Sequence, residues 1–253
     1  MISVKEFIVK ALYLCVLIGA SISILNSNSL ADDDYEIKAV NKKLKSFEAS
    51  LGNSDMSEII GTVGKSFLGV EYTAGTLDKN VYEEKLVIMI SGLDCVTYVE
   101  NVLAISNVIK KGKINYDNYK NELQQIRYRN GEINGYTSRL HYFTDWIYDN
   151  QQKGIVRDIT EEIGGIPYNK KIDFMTTHTN SYMQLKGNND YICEMEAIEE
   201  NMNKRNLYYI KKSEVDDFYD KLQTGDIIAT TTNIDGLDVT HTGFIYKENG
   251  KTK

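Results

Sequence analysis

Apolar residues recur at helical spacing between residues 35 and 68, where they predict two helices. The apolar positions of each helix share one face: Leu44, Phe47 and Leu51 in the first, and Ile59, Ile60, Val63 and Phe67 in the second. Gly52-Asn53-Ser54 predicts the break between them. Residues 69–80 contain Gly69 and Gly75 and predict a loop, while the apolar run 86–90 predicts a buried strand over residues 81–90.

The turn Ser91-Gly92-Leu93-Asp94 leads directly into a second apolar segment. A helix that begins at Cys95 would carry apolar side chains on nearly every side: Val96, Val99, Val102, Leu103, Ile105, Val108 and Ile109. A helix that is apolar all round is buried. Basic residues followed by a glycine, at Lys110-Lys111-Gly112, predict its end.

The carboxyl-terminal half gives weaker signals until residue 225. Residues 142–148 predict an aromatic helix, Gly164-Gly165-Ile166-Pro167 a loop, and residues 190–203 a short helix. Residues 227–232 and 239–246 predict two strands joined by a turn. Glu248-Asn249-Gly250-Lys251 predicts a further hairpin turn. Since Lys253 follows almost at once, we expect the chain to be truncated at its carboxyl end.

The first 31 residues have the pattern of a secretory signal peptide. Lys5 and Lys10 precede an apolar run over residues 11–24, and Ser29-Leu30-Ala31 places small residues before a cleavage site. The run is short for a membrane-spanning helix, which needs about 20 apolar residues. We therefore expect an exported protein, periplasmic or secreted, with one domain over residues 32–253 and no stable membrane insertion after cleavage. An uncleaved amino-terminal anchor is the alternative.

Composition narrows the function classes. The chain has 253 residues, 42% of them hydrophobic and 26% charged, as in ordinary globular proteins. A net charge of −7 argues against nucleic-acid binding, which needs a basic face. Three cysteines and three histidines, without CxxC or HExxH spacing, do not suggest a zinc site. We expect neither a metal nor a cofactor.

Cys95 is the sharpest chemical feature of the sequence. With Asp94 as its N-cap, Cys95 would be the first residue of a buried helix, where the helix dipole and free N–H groups favour the thiolate. A thiol nucleophile needs a base, and His241 on its predicted strand is the natural candidate. Two alternatives stay open: Cys95 as a small buried hydrophobe, or a disulfide between Cys95 and Cys193.

Several short motifs occur in the order seen in the NlpC-type cell-wall cysteine peptidases, a papain-like superfamily of bacteria. These motifs are Gly69-Val70-Glu71-Tyr72, Leu93-Asp94-Cys95-Val96, Gly225-Asp226-Ile227-Ile228 and His241-Thr242-Gly243-Phe244. Three further stretches resemble the N-acetylmuramoyl-L-alanine amidase-like branch more closely: Tyr128-Arg129-Asn130-Gly131, Ser138-Arg139-Leu140-His141-Tyr142-Phe143-Thr144-Asp145-Trp146 and Gly236-Leu237-Asp238-Val239-Thr240-His241. The resemblance extends from Ser46 to the last residue.

The resemblance implies an α+β, papain-like fold in which the Cys95 helix packs on an antiparallel sheet that carries His241, with a helical elaboration over residues 113–215. It implies that Cys95 is the nucleophile, His241 the base and Tyr72 a residue lining the site. The implied reaction is hydrolysis of the amide between N-acetylmuramic acid and L-alanine in peptidoglycan fragments (muropeptides).

Three more residues are candidates for substrate binding. Arg139 could pair with a peptide carboxylate or, equally, with an acidic loop. Tyr142 suits either a core or a sugar platform, and Asp238 could orient the His241 strand or end the turn before it.

The sequence departs from the family pattern in two ways. Glu71 replaces a proline that is common before the tyrosine. The third catalytic residue, usually a histidine that orients the base, would lie beyond Lys253, and neither His141 nor His178 occupies its position.

Other functions remain open. Members of the wider superfamily cut the D-glutamyl–diamino-acid bond instead. A truncated chain could be a non-catalytic muropeptide-binding module, and a Cys95–Cys193 disulfide would suit an exported structural domain.

Overall fold

The computed structural model describes residues 28–47, 51–80 and 82–252. Its helices are α1 Asn28–Phe47, α2 Met56–Lys65, α3 Cys95–Lys110, α4 Tyr116–Arg127, α5 Phe143–Gln152, α6 Phe174–Thr177 and α7 Asn189–Met202. Its strands are β1 Glu71–Tyr72, β2 Gly92–Leu93, β3 Ile166–Pro167, β4 Tyr208–Tyr209, β5 Ile227–Thr231, β6 Val239–Phe244, β7 Lys247–Glu248 and β8 Lys251–Thr252. By its contacts the chain divides into residues 1–35 and residues 36–253, and the core and the candidate site belong to the second unit.

Helix α3 begins and ends where the local sequence predicts. The Asp94 side chain accepts from Thr97 N–H, and Thr97 Oγ1 accepts in return from Asp94 N–H (2.9 Å), which forms a capping box. At the other end Gly112 adopts a positive φ of 64°, which favours glycine. The predicted helix starting at Cys95 is therefore confirmed.

The main core surrounds α3. Side chains of α1, α2, α4 and α5 join those of α3 in one buried cluster, which includes Leu44, Val63, Val102, Leu123 and Trp146. A second, smaller cluster lies under α7 and includes Tyr142, Met195 and Met202. The helices predicted from residues 142–148 and 190–203 are both confirmed, as α5 and α7.

Strands β5 and β6 form an antiparallel hairpin that packs on α3. The register pairs Ile227 with Phe244 and Thr230 with His241. Across the interface the rings of Tyr98 and Phe244 meet edge to face, with centroids 5.8 Å apart. The structure is thus a mixed α+β fold in which the Cys95 helix contacts the antiparallel hairpin that carries His241.

The predicted strand over residues 81–90 is wrong. Its described residues form no ladder, because buried side chains of other elements satisfy the backbone instead. Arg127 Nη1 donates to Val87 O (2.5 Å), Asn101 Nδ2 to Met89 O (3.3 Å), and Ile90 N–H to Glu36 Oε2 (2.7 Å). A continuous apolar run cannot reveal this, since a segment crossing the core alone has the same composition as a buried strand.

Two predicted loops contain short strands. Within residues 69–80, β1 pairs in parallel with β2, and within residues 164–167, β3 pairs with β4. The predicted turn at residues 248–251 is confirmed, with Asn249 and Gly250 at φ 52° and 73° between β7 and β8.

The predicted signal peptide lies outside the described residues except for its last four, which begin α1. Among the helices described, none is long and apolar enough to cross a membrane.

A buried ion pair ties α3 to α4 and generates a stability prediction. Arg127 Nε lies 2.7 Å from Glu100 Oε2, with both side chains 2% exposed. Burial raises the pKa of Glu100, and the Arg127 charge opposes that rise. Arg127→Met would leave the Glu100 charge buried without a partner, so we expect a loss of about 3–5 kcal/mol in the free energy of unfolding. Urea denaturation measures it.

The matched control is the exposed pair of Arg157 and Glu162, whose side chains are 68% and 63% exposed. Arg157→Ala should change the free energy of unfolding by less than about 1 kcal/mol. Equal, small effects of Arg127→Met and Arg157→Ala would contradict the structural role of the buried pair.

Candidate active site

Cys95 lies where α3 meets the outer edge of β6. It is the first residue of the helix, it is partly buried, and its thiol is free. The backbone N–H groups of Thr242, Val96 and Cys95 itself act on the thiol and lower its pKa. The thiol therefore occupies the amino-terminal end of α3, among N–H groups that have no partner within the helix.

The strand register explains why Thr242 is available to the thiol. Ile245 N–H donates to Asp226 O (2.8 Å). Because N–H groups alternate in direction along an antiparallel strand, those of Gly243 and His241 face β5, and that of Thr242 faces away. The Thr242 N–H is thus outside the β5–β6 ladder.

Folding brings the thiol to the residue next to His241. His241 is paired with Thr230 of β5, and its ring is exposed. Within the described part of the chain, no hydrogen bond holds this ring. Strand β6 therefore connects the two members of the predicted cysteine–histidine pair through the backbone, and a contact between their side chains stays a prediction.

Tyr72 completes the group around the thiol. Its register partner in the β1–β2 ladder is Leu93, which precedes the Asp94 cap, so the ladder places the phenol beside Cys95. The two side chains are hydrogen-bonded. Partial burial, the Cys95 and Asp94 charges and this bond raise the pKa of Tyr72 to about 12. The phenol is therefore protonated at neutral pH and able to donate to the sulfur.

Burial of the Cys95 thiol raises its pKa by more than the N–H groups at the start of the helix lower it. Desolvation is the largest influence and raises the pKa of the Cys95 thiol, and the nearby Asp94 charge also raises it. The N–H groups of Thr242, Val96 and Cys95 lower it, but by less. The N–H groups at the start of the helix thus act in the predicted direction, but burial and the Asp94 charge together raise the pKa by more than these groups lower it.

The three other candidate residues are buried in polar contacts of their own. Arg139 lies 2.7 Å from Asp78 and 3.1 Å from Glu84, so it pairs with an acidic loop. Tyr142 OH donates to Glu199 Oε1 (2.6 Å) and accepts from Met175 N–H. Asp238 Oδ2 accepts from the N–H and hydroxyl of Thr144, in the first turn of α5. Substrate contact by Arg139, Tyr142 or Asp238 stays a prediction.

The other histidines have local partners. His141 Nε2 lies 2.8 Å from Tyr136 O, and burial together with the Arg139 charge holds its pKa well below the usual range. His178 Nδ1 lies 2.9 Å from Phe174 O, at the end of α6. Within the described residues no cluster of His, Cys, Asp and Glu could hold a metal ion.

A Cys95–Cys193 disulfide is not formed. Both thiols are free, and Cys193 is exposed on α7. The alternative of a disulfide-stabilised structural domain is therefore wrong for this structure. Sequence reasoning also missed the Thr242 N–H, because a backbone donor leaves no signal in residue type; only the strand register reveals it.

A thiol at the start of a buried helix, beside a histidine-bearing hairpin, is an arrangement suited to a cysteine hydrolase. The sequence model of the N-acetylmuramoyl-L-alanine amidase-like family matches residues 62–253, so the chain belongs to that family. A search of curated proteins gave no match.

Solved structures agree with this assignment. An N-acetylmuramoyl-L-alanine amidase from Bacteroides uniformis is 35% identical, with a TM-score of 0.73 over 78% of this chain and 83% of that one. A Bacteroides fragilis protein provisionally named a xylanase is 34% identical, with a TM-score of 0.67 over 76% and 83%. A Legionella pneumophila protein is 20% identical, with a TM-score of 0.61 over 88% and 84%, and shows similarity of fold alone.

The raised pKa of Cys95 predicts a pH dependence of alkylation. In a Cys193→Ser background, iodoacetamide should modify Cys95 with a midpoint above that of N-acetylcysteine amide, because the reactive thiolate forms only as the pH rises through the elevated pKa. Peptide mass spectrometry against pH measures the midpoint. Asp94→Asn should move it downward, since the substitution removes a charge that raises the pKa. A Cys95 midpoint at or below that of N-acetylcysteine amide would contradict this account.

Proposed function

We propose that the protein is a cysteine-dependent amidase of the NlpC-type, papain-like superfamily, which hydrolyses the bond between the lactyl group of N-acetylmuramic acid and L-alanine. The single observation that carries this proposal is the position of the Cys95 thiol at the start of α3, near the backbone N–H of Thr242, which is the residue after His241 in β6. Membership of the amidase-like family supports the choice of bond. The substrate class is the muropeptide, and the predicted signal peptide agrees with action outside the cytoplasm.

The first half-reaction makes a thioester. His241 takes the proton of the Cys95 thiol, and the sulfur attacks the lactyl carbonyl carbon. When the tetrahedral intermediate collapses, the C–N bond breaks and the imidazolium proton passes to the amino group of L-alanine. The raised pKa of the thiol makes this deprotonation a necessary step, because little thiolate exists before it.

The second half-reaction releases the sugar product. His241 removes a proton from water, and the resulting hydroxide attacks the thioester carbonyl. The C–S bond then breaks, the sulfur regains a proton, and the lactyl carboxylate leaves. In both steps we assign stabilisation of the oxyanion to backbone N–H groups at the start of α3, including that of Cys95, which have no acceptor within the helix.

Tyr72 is placed to orient the sulfur. The Tyr72 side chain is hydrogen-bonded to Cys95, and the residue is 56% exposed. One part of the side chain therefore lies at the thiol, and another part is open to a ligand. We assign Tyr72 to the wall of the substrate site, as the resemblance implies.

The xylanase name of the Bacteroides fragilis relative suggests glycoside hydrolysis as a competing function. Such chemistry ordinarily needs two carboxylates flanking the scissile bond. Beside the thiol the carboxylate is Asp94, and its Oδ1 is occupied by Thr97 N–H (2.8 Å). The local geometry therefore favours thiol chemistry.

Treatment of purified muropeptides with the full chain tests the proposal. Mass spectrometry should detect stem peptides with a free L-alanine amino terminus, together with sugars lacking the peptide. Cys95→Ala and His241→Ala should each lower the rate on the order of 10³-fold or more, because each removes a member of the nucleophile–base pair. Cys193→Ala, on the exposed face of α7, is the matched thiol control and should retain the wild-type rate.

The product masses separate the alternatives. Cleavage after D-glutamate would show that the bond is that of the wider superfamily. Muropeptide binding without turnover, unchanged in Cys95→Ala, would show a non-catalytic binding module. Either result would overturn the assigned activity.

A further inference from the structure

The turn that leads into β6 contacts the ammonium group of Lys170 through several backbone carbonyls. Residues 232–238 connect β5 to β6, and Lys170 Nζ donates to three backbone carbonyls of this turn: Thr232 O at 2.7 Å, Ile234 O at 2.5 Å and Leu237 O at 2.7 Å. An ammonium has three N–H donors, so all of them are used. The carbonyl oxygens converge on one point, where their partial negative charges would repel one another without the cation.

The segment around Lys170 holds the same turn by its backbone. Asp173 N–H and Phe174 N–H both donate to Gly236 O, at 3.0 and 3.1 Å. Gly236 has a φ of +74°, and a Cβ there would lie 2.9 Å from the Phe174 nitrogen, so the close approach requires glycine. The Lys170 side chain and the N–H groups of Asp173 and Phe174 thus hold the turn from one side.

The end of the turn is held from another direction. Asp238 Oδ2 accepts from Thr144 N–H (2.8 Å) and Thr144 Oγ1 (2.9 Å) at the start of α5. His241 follows Asp238 by one short stretch of β6. Lys170 on one side and Thr144 on the other therefore fix the position of the backbone that leads to the proposed base. Because the His241 ring has no hydrogen-bond partner among the described residues, its position depends on this backbone.

We propose that Lys170 is a positioning residue for His241, acting through the three carbonyls of the 232–238 turn. This inference rests on the proposed function, in which His241 is the base. Lys170 is partly buried and also lines an open cleft with Tyr168, Lys204 and Arg205, so we expect small solutes to reach the three carbonyls once its side chain is removed. The three carbonyl oxygens of Thr232, Ile234 and Leu237, which we call the carbonyl cage, accept hydrogen bonds from one ammonium group at 2.5–2.7 Å. A free ammonium ion offers the same donors and fits the same space.

The activity experiment uses chemical rescue. Lys170→Ala in the full chain should lower kcat for muropeptide hydrolysis by about 10- to 100-fold with little change in KM, because a small displacement of a reacting group has effects of that order. Ammonium or methylammonium chloride should restore kcat in a saturable way, while sodium chloride at equal ionic strength should not. Lys170→Met fills the cage with carbon and should show the loss without the rescue.

Lys171→Ala is the matched control. Lys171 is the adjacent lysine, its side chain is 79% exposed, and it pairs with Asp173. This variant should retain the wild-type kcat and should not respond to ammonium. A Lys170→Ala enzyme with wild-type kcat would overturn the proposal, as would a loss that sodium and ammonium restore equally.

A second readout does not depend on activity. The chain has three histidines, so the ring signals of His241 can be assigned in a ¹H–¹⁵N spectrum by comparison with His241→Gln. Lys170→Ala should shift the His241 signals and ammonium should return them, while those of His178 stay in place. Unmoved His241 signals would overturn the proposal, and if Lys170→Ala does not fold, Lys170→Met provides the same test of the shift.

The two readouts keep the proposals apart. If the wild-type chain does not hydrolyse muropeptides but the ammonium-dependent shift of His241 is observed, the proposed function fails and the positioning by Lys170 stands. If hydrolysis depends on His241 and neither readout responds to Lys170, the proposed function stands and this inference fails.

Discussion

The approach of the Cys95 thiol to the backbone N–H of Thr242 is the contact on which the candidate site depends. It joins the first residue of α3 to the outer edge of β6, and these two elements come from distant parts of the sequence. The capping box at Asp94 fixes the direction of the helix start, while the register with β5 turns Thr242 N–H outward. If either local structure were altered by one residue, the thiol would face a different part of the strand.

Burial of the Cys95 thiol determines its protonation state and therefore how it can react. A helix amino terminus stabilises a thiolate, but around Cys95 desolvation and the Asp94 charge have the larger effect. A thiol that stays protonated is stable toward adventitious oxidation and becomes a nucleophile only when a base removes its proton. In the proposed mechanism His241 is that base, so the accuracy with which β6 presents that residue becomes important.

The sequence predicts best those features whose causes are local. Helix α3 is marked by its cap, its apolar faces and its terminal glycine, and the hairpin around His241 is marked by alternation and turns. The segment 81–90 was predicted wrongly, because its backbone partners are side chains such as Arg127 and Asn101 that only the fold brings to it. Arg139 and Asp238 show the same limit at the site: their residue types suit ligand binding, but their burial and their partners arise from tertiary structure.

Covalent capture of the intermediate tests the central claim most directly. Rapid mixing of the full chain with a muropeptide, followed by acid quench and peptide mass spectrometry, should reveal a thioester on Cys95 that carries the N-acetylmuramoyl group without the stem peptide. The adduct should form and decay at rates consistent with turnover. Turnover without any adduct on Cys95, or an adduct that carries the D-glutamyl part of the stem, would contradict the account.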